Sequence, residues 1–225
     1  MSPSTRSSIL PPAAVEFRAL ARRKLHAAPS GAIFGPRDGQ SCGRSDFDLN
    51  RELLADLVVM EPPRPASVLV PVVAHAALTV LLTQRTDGLS THAGQIAFPG
   101  GKVEPDDADP VATALREARE EIGLDPGFIE PLGFLDSYRS STGFHIMPLV
   151  ALVWPGFTLT LDPSEVADAF EVPLSFLMDP RHHQQHSREW RGRRRYYYAM
   201  PYGQRYIWGA TAGMIKNMHE RLFAA

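Results

Sequence analysis

The sequence has little of what marks several specialised classes of protein. It contains one cysteine, Cys42, so no disulfide can form within the 225-residue chain, and this favours a reducing compartment. Its 23 Lys and Arg are balanced by 25 Asp and Glu, which leaves a formal net charge of −2. That balance argues against a protein whose main partner is nucleic acid. Together with a hydrophobic content of 44%, it also argues against a disordered chain.

Signals that would direct the chain to a membrane are also weak. Residues 65–84 contain no Asp, Glu, Lys or Arg, a run long enough for a transmembrane helix. Pro71, His75 and the many β-branched residues instead predict two buried strands, Ser67–Val73 and Leu78–Thr83. The N-terminus lacks the apolar core of a secretory signal, so we predict a cytoplasmic protein without membrane insertion. The N-terminal arginines leave the mitochondrial matrix as an alternative location.

Proline is the residue in clear excess, with 20 copies, and its positions divide the chain. The cluster Pro62, Pro63 and Pro65 separates a predicted N-terminal extension, residues 1–65, from a domain of residues 66–225. We expect the extension to be partly helical, with a mobile start. In the domain, strand and helix patterns do not alternate regularly, which predicts an α+β domain with a mixed sheet packed between helices.

The spacing of apolar residues predicts the individual elements. The predicted helices are Ala13–His26, Leu49–Val58, Pro110–Ile122, Pro163–Phe170, Leu174–Met178 and Ala210–Phe223. The predicted strands are Ser67–Val73, Leu78–Thr83, Pro131–Tyr138, Phe144–Trp154 and Tyr196–Met200. We expect the first helix to lie on the surface and to be loosely packed.

The helix Pro110–Ile122 is the most completely specified of these elements. Asp109 suits the N-cap and Pro110 the first helical position, while Gly123 suits a left-handed residue at the C-terminal end. Three glutamates at i, i+3 and i+4 share one face of this helix: Glu117, Glu120 and Glu121.

This acidic face has two interpretations. Like charges at that spacing repel one another, and a hard divalent cation such as Mg²⁺ or Mn²⁺, which prefers carboxylate oxygen, would remove the repulsion. Alternatively, Arg116 and Arg119 neutralise the acids on an ordinary solvated helix face. The preceding turn Phe98-Pro99-Gly100-Gly101 favours the cation, because paired glycines let the backbone approach a metal or a phosphate closely.

Turn and helix together resemble the motif of the Nudix hydrolases. The match runs from Gly101 through an acidic position at Asp107 to Arg116, with one more residue between Asp107 and Arg116 than the family pattern has. It continues through the glutamates to Gly123 and Leu124. The resemblance implies a Nudix fold, which is an α/β/α sandwich, and metal-dependent hydrolysis of a pyrophosphate with Mg²⁺ or Mn²⁺. It implies these metal ligands: the Gly101 carbonyl, Glu117, Glu120 and Glu121.

The same resemblance implies two further roles. Arg116 is expected to hold a glutamate in place and not to touch the substrate. The general base is expected to be Glu120 or, as in some members of the family, an acid from a later loop, for which Glu165 is the best-placed candidate. Glu165 can equally be an ordinary acid at the start of a helix, favoured there by the helix dipole.

A second motif is similar to the signature of coenzyme A diphosphatases within this family. It runs from Leu81-Leu82-Thr83-Gln84-Arg85 through His92-Ala93-Gly94-Gln95 to the glycine turn, with departures at Thr86 and Ser90. It implies a small-molecule partner, CoA or a CoA derivative, cleaved to 3′,5′-ADP and 4′-phosphopantetheine or its acyl form. The implied substrate contacts are Arg85, His92, Gln95, Phe98 and Gly100.

Other functions stay open at this point. One is a Nudix enzyme for ADP-ribose, NADH or a nucleoside triphosphate, and another is a silent module that binds CoA or RNA. The segment 181–198 is rich in arginine and aromatic residues, a composition used to bind single strands. Because the whole chain is slightly acidic, we consider nucleic acid an unlikely partner and prefer a polar hairpin, or arginines near the 3′-phosphate of CoA. A homodimer is possible.

Overall fold

The structure is a computed structural model that describes residues 10–30, 44–50, 63–88, 93–190 and 192–224. Within these ranges the helices are α1 (Pro12–Lys24), α2 (Pro110–Ile122), α3 (Leu174–Leu177) and α4 (Ala210–Leu222), with 3-10 turns at Pro126–Phe128 and Pro180–His182. The first six strands are β1 (Arg44–Ser45), β2 (Arg64–Val73), β3 (Thr79–Arg85), β4 (Ile96–Ala97), β5 (Gly100–Lys102) and β6 (Ile129–Phe134). The remaining six are β7 (Tyr138–Arg139), β8 (Phe144–Val153), β9 (Val166–Pro173), β10 (Gln184–Trp190), β11 (Arg193–Tyr202) and β12 (Arg205–Trp208).

A mixed sheet forms the centre of the domain. Its strands follow the order β1-β7-β8-β2-β3-β4, with β5 added to β2, β6 to β8 and β9 to β3. Strands β2 and β8 run parallel over their whole length, from the pair Arg64–Phe144 to the pair Val73–Val153. Strand β2 also pairs in antiparallel fashion with β3 and with β5. Strand β2 therefore has neighbours on both sides, and one of these neighbours, β5, carries the two glycines.

The two faces of this sheet pack against different helices. Side chains alternate along a strand, so Val70 of β2 joins the core that contains α1 and α4, whereas Leu69 joins the core that contains α2. Strand β8 alternates in the same way, with Val150 on the first side and Leu149 on the second. Both faces are covered, and the predicted α+β architecture of a mixed sheet between helices is confirmed. No helix in the described ranges has the length and apolar character needed to cross a membrane.

A smaller sheet extends the core on the side of α1 and α4. Strands β10, β11 and β12 form an antiparallel sheet of three strands, and its buried residues Met200 and Ile207 pack in the core that contains α1 and α4. Strands β10 and β11 form a hairpin whose register runs from the pair Gln184–Ala199 to the pair Trp190–Arg193. The arginine-rich segment therefore forms a hairpin, as the sequence predicts.

Several sequence-based expectations need correction. The predicted helix Pro163–Phe170 is wrong, because β9 begins at Val166 and pairs with β3, so that sheet pairing overrides the local pattern. The predicted strand Pro131–Tyr138 is interrupted, since β6 ends at Phe134. Helix α1 is not loosely packed, because Ala14, Phe17 and Ala21 are buried in the core. Most of the predicted helix Leu49–Val58 lies outside the described residues.

A short segment before β2, residues 44–50, is fastened to the domain by side chains. Asn50 is fully buried, and its amide donates to the Tyr196 carbonyl at 2.8 Å and accepts from the Tyr196 N–H at 2.8 Å. Asp46 accepts hydrogen bonds from the Tyr138 hydroxyl at 2.8 Å and from Arg195 at 3.0 Å. These contacts hold the segment against the domain, while the proposed boundary at residue 65 stays a prediction.

Asn50→Ala is expected to destabilise the whole domain. The change removes the Asn50 partner of the part-buried N–H and carbonyl of Tyr196, and an unsatisfied group of this kind costs at most about 1–3 kcal/mol when no water replaces the partner. Urea unfolding should therefore show a lower free energy of unfolding than in the exposed control Gln204→Ala, which we expect to match the wild type. Equal stability of the two variants would show that segment 44–50 does not contribute to folding.

Candidate active site

Helix α2 positions the acidic face, and its ends are fixed by local interactions. The Asp109 carboxylate accepts from the Ala112 N–H at 2.8 Å, and Pro110 occupies the first turn. Gly123 ends the helix with φ of 67°, a left-handed conformation that glycine adopts without strain. The predicted helix boundaries are therefore confirmed, and the three glutamates start from a rigid backbone.

The glycine turn lies directly against this helix. Gly100 and Gly101 pair with Val68 and Ser67 of β2. A Cβ atom added at Gly101 would lie 2.4 Å from a carboxylate oxygen of Glu117, and one added at Gly100 would lie 2.5 Å from the Ser67 carbonyl oxygen. Gly100, with φ of 153° and backbone atoms in the way of a side chain, therefore requires glycine, whereas a side chain at Gly101 would displace the Glu117 carboxylate.

Glu121 is the most buried of the three glutamates. Its side chain is 5% exposed and accepts a hydrogen bond from the Gly100 N–H at 3.1 Å. Burial raises the pKa of Glu121 to about 8, and the negative charges of Glu117 and Glu165 add to this increase. The guanidinium of Arg85 lies beside it, with Nη1 3.9 Å from the carboxylate. Burial also raises the pKa of Glu117, against the opposing effect of Arg116. The positive charge beside Glu121 is therefore more distant than that beside Glu117, where Arg116 lies 3.0 Å from the carboxylate.

Arg116 connects the helix to the loop before it. Its guanidinium forms a bidentate ion pair with Asp107, with Nε–Oδ1 at 2.9 Å and Nη2–Oδ2 at 3.0 Å, and it also donates to the Lys102 carbonyl. On the other side, Nη1 donates to Glu117 at 3.0 Å and to Glu120 at 2.8 Å. The hydrogen bonds from Arg116 hold the pKa of Asp107 well below its ordinary value. Arg116 therefore contacts two glutamates from a fixed position.

Asp107 was not among the sequence-predicted site residues. The extra residue between it and Arg116 obscured its match to the family pattern, although its distance from Gly101 fits that pattern. Its side chain is 5% exposed and accepts further hydrogen bonds from the Thr113 hydroxyl at 2.9 Å and the Glu104 N–H at 2.8 Å. Counting from Gly101 does place the family's acidic position on Asp107, and the extra residue before Arg116 is the reason that the sequence assigns it no role.

The carboxylates of α2 are the kind of ligand that a hard divalent cation prefers. Among the described residues, no three histidine, cysteine or carboxylate side chains already lie in an arrangement that could hold a metal ion. Glu120 is 59% exposed and paired with Arg116, so its carboxylate can turn at little cost. Glu117 and Glu121 are buried carboxylates with raised pKa values, and a hard cation would stabilise their ionised forms. The chemistry of these donors therefore fits a hard divalent cation.

Glu165 lies in an exposed turn beside this acidic group. Its carbonyl accepts from the Thr86 N–H at 3.0 Å, next to the end of β3. The Asp162 N–H of the same turn donates to the Glu121 carbonyl at 2.9 Å, and the charge of Glu165 contributes to the raised pKa values of both Glu117 and Glu121. The structure thus places this sequence-predicted candidate near the helix, although it precedes a strand and not a helix.

Only some of the predicted substrate contacts lie at the acidic site. Arg85 lies at the site beside Glu121, and the Gln95 carbonyl accepts from the Arg85 N–H at 2.9 Å. The Gly100 N–H points at Glu121. Phe98 is 3% exposed, so its ring packs in the core and supports the turn from behind. His92 lies outside the described residues.

The mixed sheet between helices carries a glycine turn against a carboxylate-rich helix, and comparison with known proteins assigns this arrangement to a family. The Nudix domain family matches residues 63–191. The chain is 42% identical over 161 residues to the uncharacterized Nudix hydrolase NudL of Photorhabdus laumondii, covering 71% of this chain and 85% of that protein. It is 38% identical over 159 residues to NudL of Yersinia pestis, covering 71% and 80%.

The chain belongs to the Nudix hydrolase family and acts on phosphorus-containing anhydrides. Divalent metal ions are the general cofactors of this family. Among solved structures, the NUDIX domain of Shewanella oneidensis NrtR, crystallised with ADP ribose, is similar with a TM-score of 0.47 and 20% identity. That similarity covers 77% of this chain and 98% of the other.

The raised pKa of Glu121 predicts a pH dependence of the metal-free protein. The unfolded chain ionises Glu121 near its ordinary value of 4.5, whereas the native state keeps the proton until about pH 8. Stability from this group is therefore fully present below pH 4.5 and is lost as the pH rises towards 8. In Glu121→Gln, which cannot ionise, this loss should be missing from urea unfolding curves recorded in EDTA across that pH range. Parallel pH profiles would contradict the assignment.

Proposed function

We propose that this protein hydrolyses the pyrophosphate of coenzyme A or a CoA derivative, using Mg²⁺ or Mn²⁺. The products are 3′,5′-ADP and 4′-phosphopantetheine, or acyl-phosphopantetheine from an acylated substrate. The observation that carries the proposal is the position of Arg85. Arg85 is the last residue of Leu81–Arg85, the first part of the motif that is similar to CoA diphosphatases. Its guanidinium lies 3.9 Å from Glu121 of the Nudix motif.

In this proposal the cation is held by the Gly101 carbonyl and by Glu117, Glu120 and Glu121. A bound divalent cation offsets the negative charge of the pyrophosphate oxygens and makes water easier to deprotonate. Arg116 supports this set, because its ion pair with Asp107 fixes a guanidinium that contacts two of the glutamates.

The remaining groups act on the substrate and on water. Arg85, together with Gln95 and His92, binds the substrate phosphates and orients the anhydride, with Phe98 and Gly100 shaping that side of the turn. Water forms a bond to one phosphorus while the bond from that phosphorus to the bridging oxygen breaks, and the second phosphate leaves with the electron pair. We assign the proton lost by water to Glu165. Glu120, the other candidate, is a metal ligand in this proposal.

The proposal includes a cellular setting. A single cysteine suits the reducing cytoplasm, and a small-molecule substrate requires neither nucleic acid nor a membrane surface. A homodimer stays a prediction from the sequence.

The test is a substrate panel with purified protein and each metal. CoA, acetyl-CoA and oxidised CoA should give 3′,5′-ADP by mass spectrometry, at rates well above those for ADP-ribose, NADH and nucleoside triphosphates. Cleavage of one of the latter without cleavage of any CoA compound would overturn the substrate assignment. Binding of CoA without turnover would indicate a silent binding module.

A further inference from the structure

The turn that carries Glu165 is built around a side chain outside the Nudix motif, Asp162. One carboxylate oxygen of Asp162 accepts from the Ser164 N–H at 2.8 Å and from the Ser164 hydroxyl at 2.7 Å. The Asp162 carbonyl accepts from the Glu165 N–H at 3.1 Å and from the Val166 N–H at 2.8 Å. Asp162 therefore contacts each of the three non-proline residues that follow it.

The start of this turn is attached to the C-terminal end of the acidic helix. The Asp162 N–H donates to the Glu121 carbonyl at 2.9 Å, and the Thr160 N–H donates to the Ile122 carbonyl at 2.9 Å. Gly123 permits this approach, because a Cβ atom there would lie 2.9 Å from the Thr160 nitrogen. The backbone that holds Glu121 and the backbone that leads to Glu165 are thus joined by direct hydrogen bonds.

The end of the turn is attached to the sheet. The Glu165 carbonyl accepts from the Thr86 N–H, and Val166 is 2% exposed in the core that contains α2. Glu165 is itself exposed, so the turn fixes its main chain and leaves its carboxylate in solvent, where its negative charge contributes to the raised pKa of Glu121. Neither sequence motif includes residues 160–164, so no part of this arrangement was predicted.

We propose that Asp162 is a positioning residue for Glu165: by closing the 162–166 turn on the C-terminal carbonyls of α2, it holds the Glu165 carboxylate at the reaction centre. The inference rests on the proposed function, in which Glu165 accepts the proton from water. A displacement of about 1 Å in a reacting group can cost up to 100-fold in rate, so loss of the turn should affect kcat far more than KM.

The first test compares Asp162→Ala with Asp162→Asn. Alanine removes the acceptor for Ser164, whereas the asparagine amide oxygen keeps it. We expect Asp162→Ala to lower kcat by about 10- to 100-fold with KM nearly unchanged, and Asp162→Asn to restore most of the activity. Equal losses in both variants would overturn the proposal, as would a loss confined to KM.

The second test asks whether Asp162 acts through Glu165. If it does, Asp162→Ala should have no further effect on kcat in a Glu165→Gln background, because the group that it positions is already missing. The same fold loss in both backgrounds would overturn the proposal. A crystal structure of Asp162→Ala should show the Glu165 main chain displaced and α2 unchanged, and an unchanged Glu165 position would count against it without relying on activity.

These outcomes are separate from failure of the proposed function. If CoA is not the substrate, the same variants are compared with the nucleoside diphosphate derivative that the enzyme does cleave. If Glu165→Gln has full activity, the positioning inference fails while the metal assignment to the α2 glutamates stands.

Discussion

Glu120→Gln is expected to abolish detectable turnover, a loss on the order of 1,000-fold, without changing the fold. The side chain of Glu120 is 59% exposed and accepts a hydrogen bond from Arg116. The packing of the core therefore does not depend on its charge. The amide has the same shape, but it lacks the negative charge that the proposed cation requires. The measurement is kcat with CoA, or with the best substrate of the panel, at saturating Mg²⁺ and Mn²⁺.

The matched control is Glu189→Gln, which makes the same chemical change at an exposed acid of β10 and should retain full activity. A second measurement separates metal binding from chemistry. Mn²⁺ should raise the melting temperature of the wild type and of the control, because a ligand that binds only the native state stabilises it, and it should do so less in Glu120→Gln. Wild-type turnover in Glu120→Gln would remove this residue from the metal site.

Arg116→Ala is expected to have two large effects, on stability and on activity. It leaves the Asp107 carboxylate, which is 5% exposed, without its ion-pair partner, and breaking a buried pair in this way costs about 3 kcal/mol. It also releases Glu117 and Glu120 from the guanidinium that contacts both, which should lower kcat by about 100-fold. The control is Arg119→Ala, an exposed arginine on the same helix, which should change neither quantity appreciably.

The double variant Asp107→Asn/Arg116→Ala distinguishes the two effects. Neutralising Asp107 removes the unpaired buried charge, so the free energy of unfolding should recover in part. The activity should not recover, because the glutamates still lack their positioning cation. If stability and activity both recover, the activity loss of Arg116→Ala reflects instability alone. If neither stability nor activity recovers, Asp107 and Arg116 are not energetically coupled.

The elements predicted best from the sequence are those fixed by their own ends. Helix α2 begins and ends at the predicted residues, because Asp109, Pro110 and Gly123 act on the backbone within a turn of where they stand. Strand β9 shows the opposite case. The segment after Pro163 has a composition compatible with a helix, and its pairing with β3, about 90 residues earlier in the chain, decides its conformation.

In the candidate site, too, the local patterns are predictable from the sequence and the tertiary contacts are not. The three glutamates and the glycine turn form a local pattern, and the sequence predicts their proximity correctly. The contact between Arg85 and Glu121 and the approach of the 160–166 turn to the end of α2 are tertiary contacts, which local spacing does not indicate. The position of Phe98 in the core likewise depends on which face of the sheet the turn covers.

The parallel pairing of β2 with β8 has a consequence for how the protein is made. Each pair in that ladder, from Arg64–Phe144 to Val73–Val153, joins residues separated by 80 positions. The glycine turn and the whole of α2 are therefore synthesised before β8. Contacts so distant in the chain form slowly, and until β8 is in place the apolar side of α2 lacks the β8 residues that pack against it, such as Leu149 and Ala151. A nascent chain that stops before residue 144 already contains every residue of the Nudix motif, and we expect it to be exposed to chaperones and proteases as an unfinished domain.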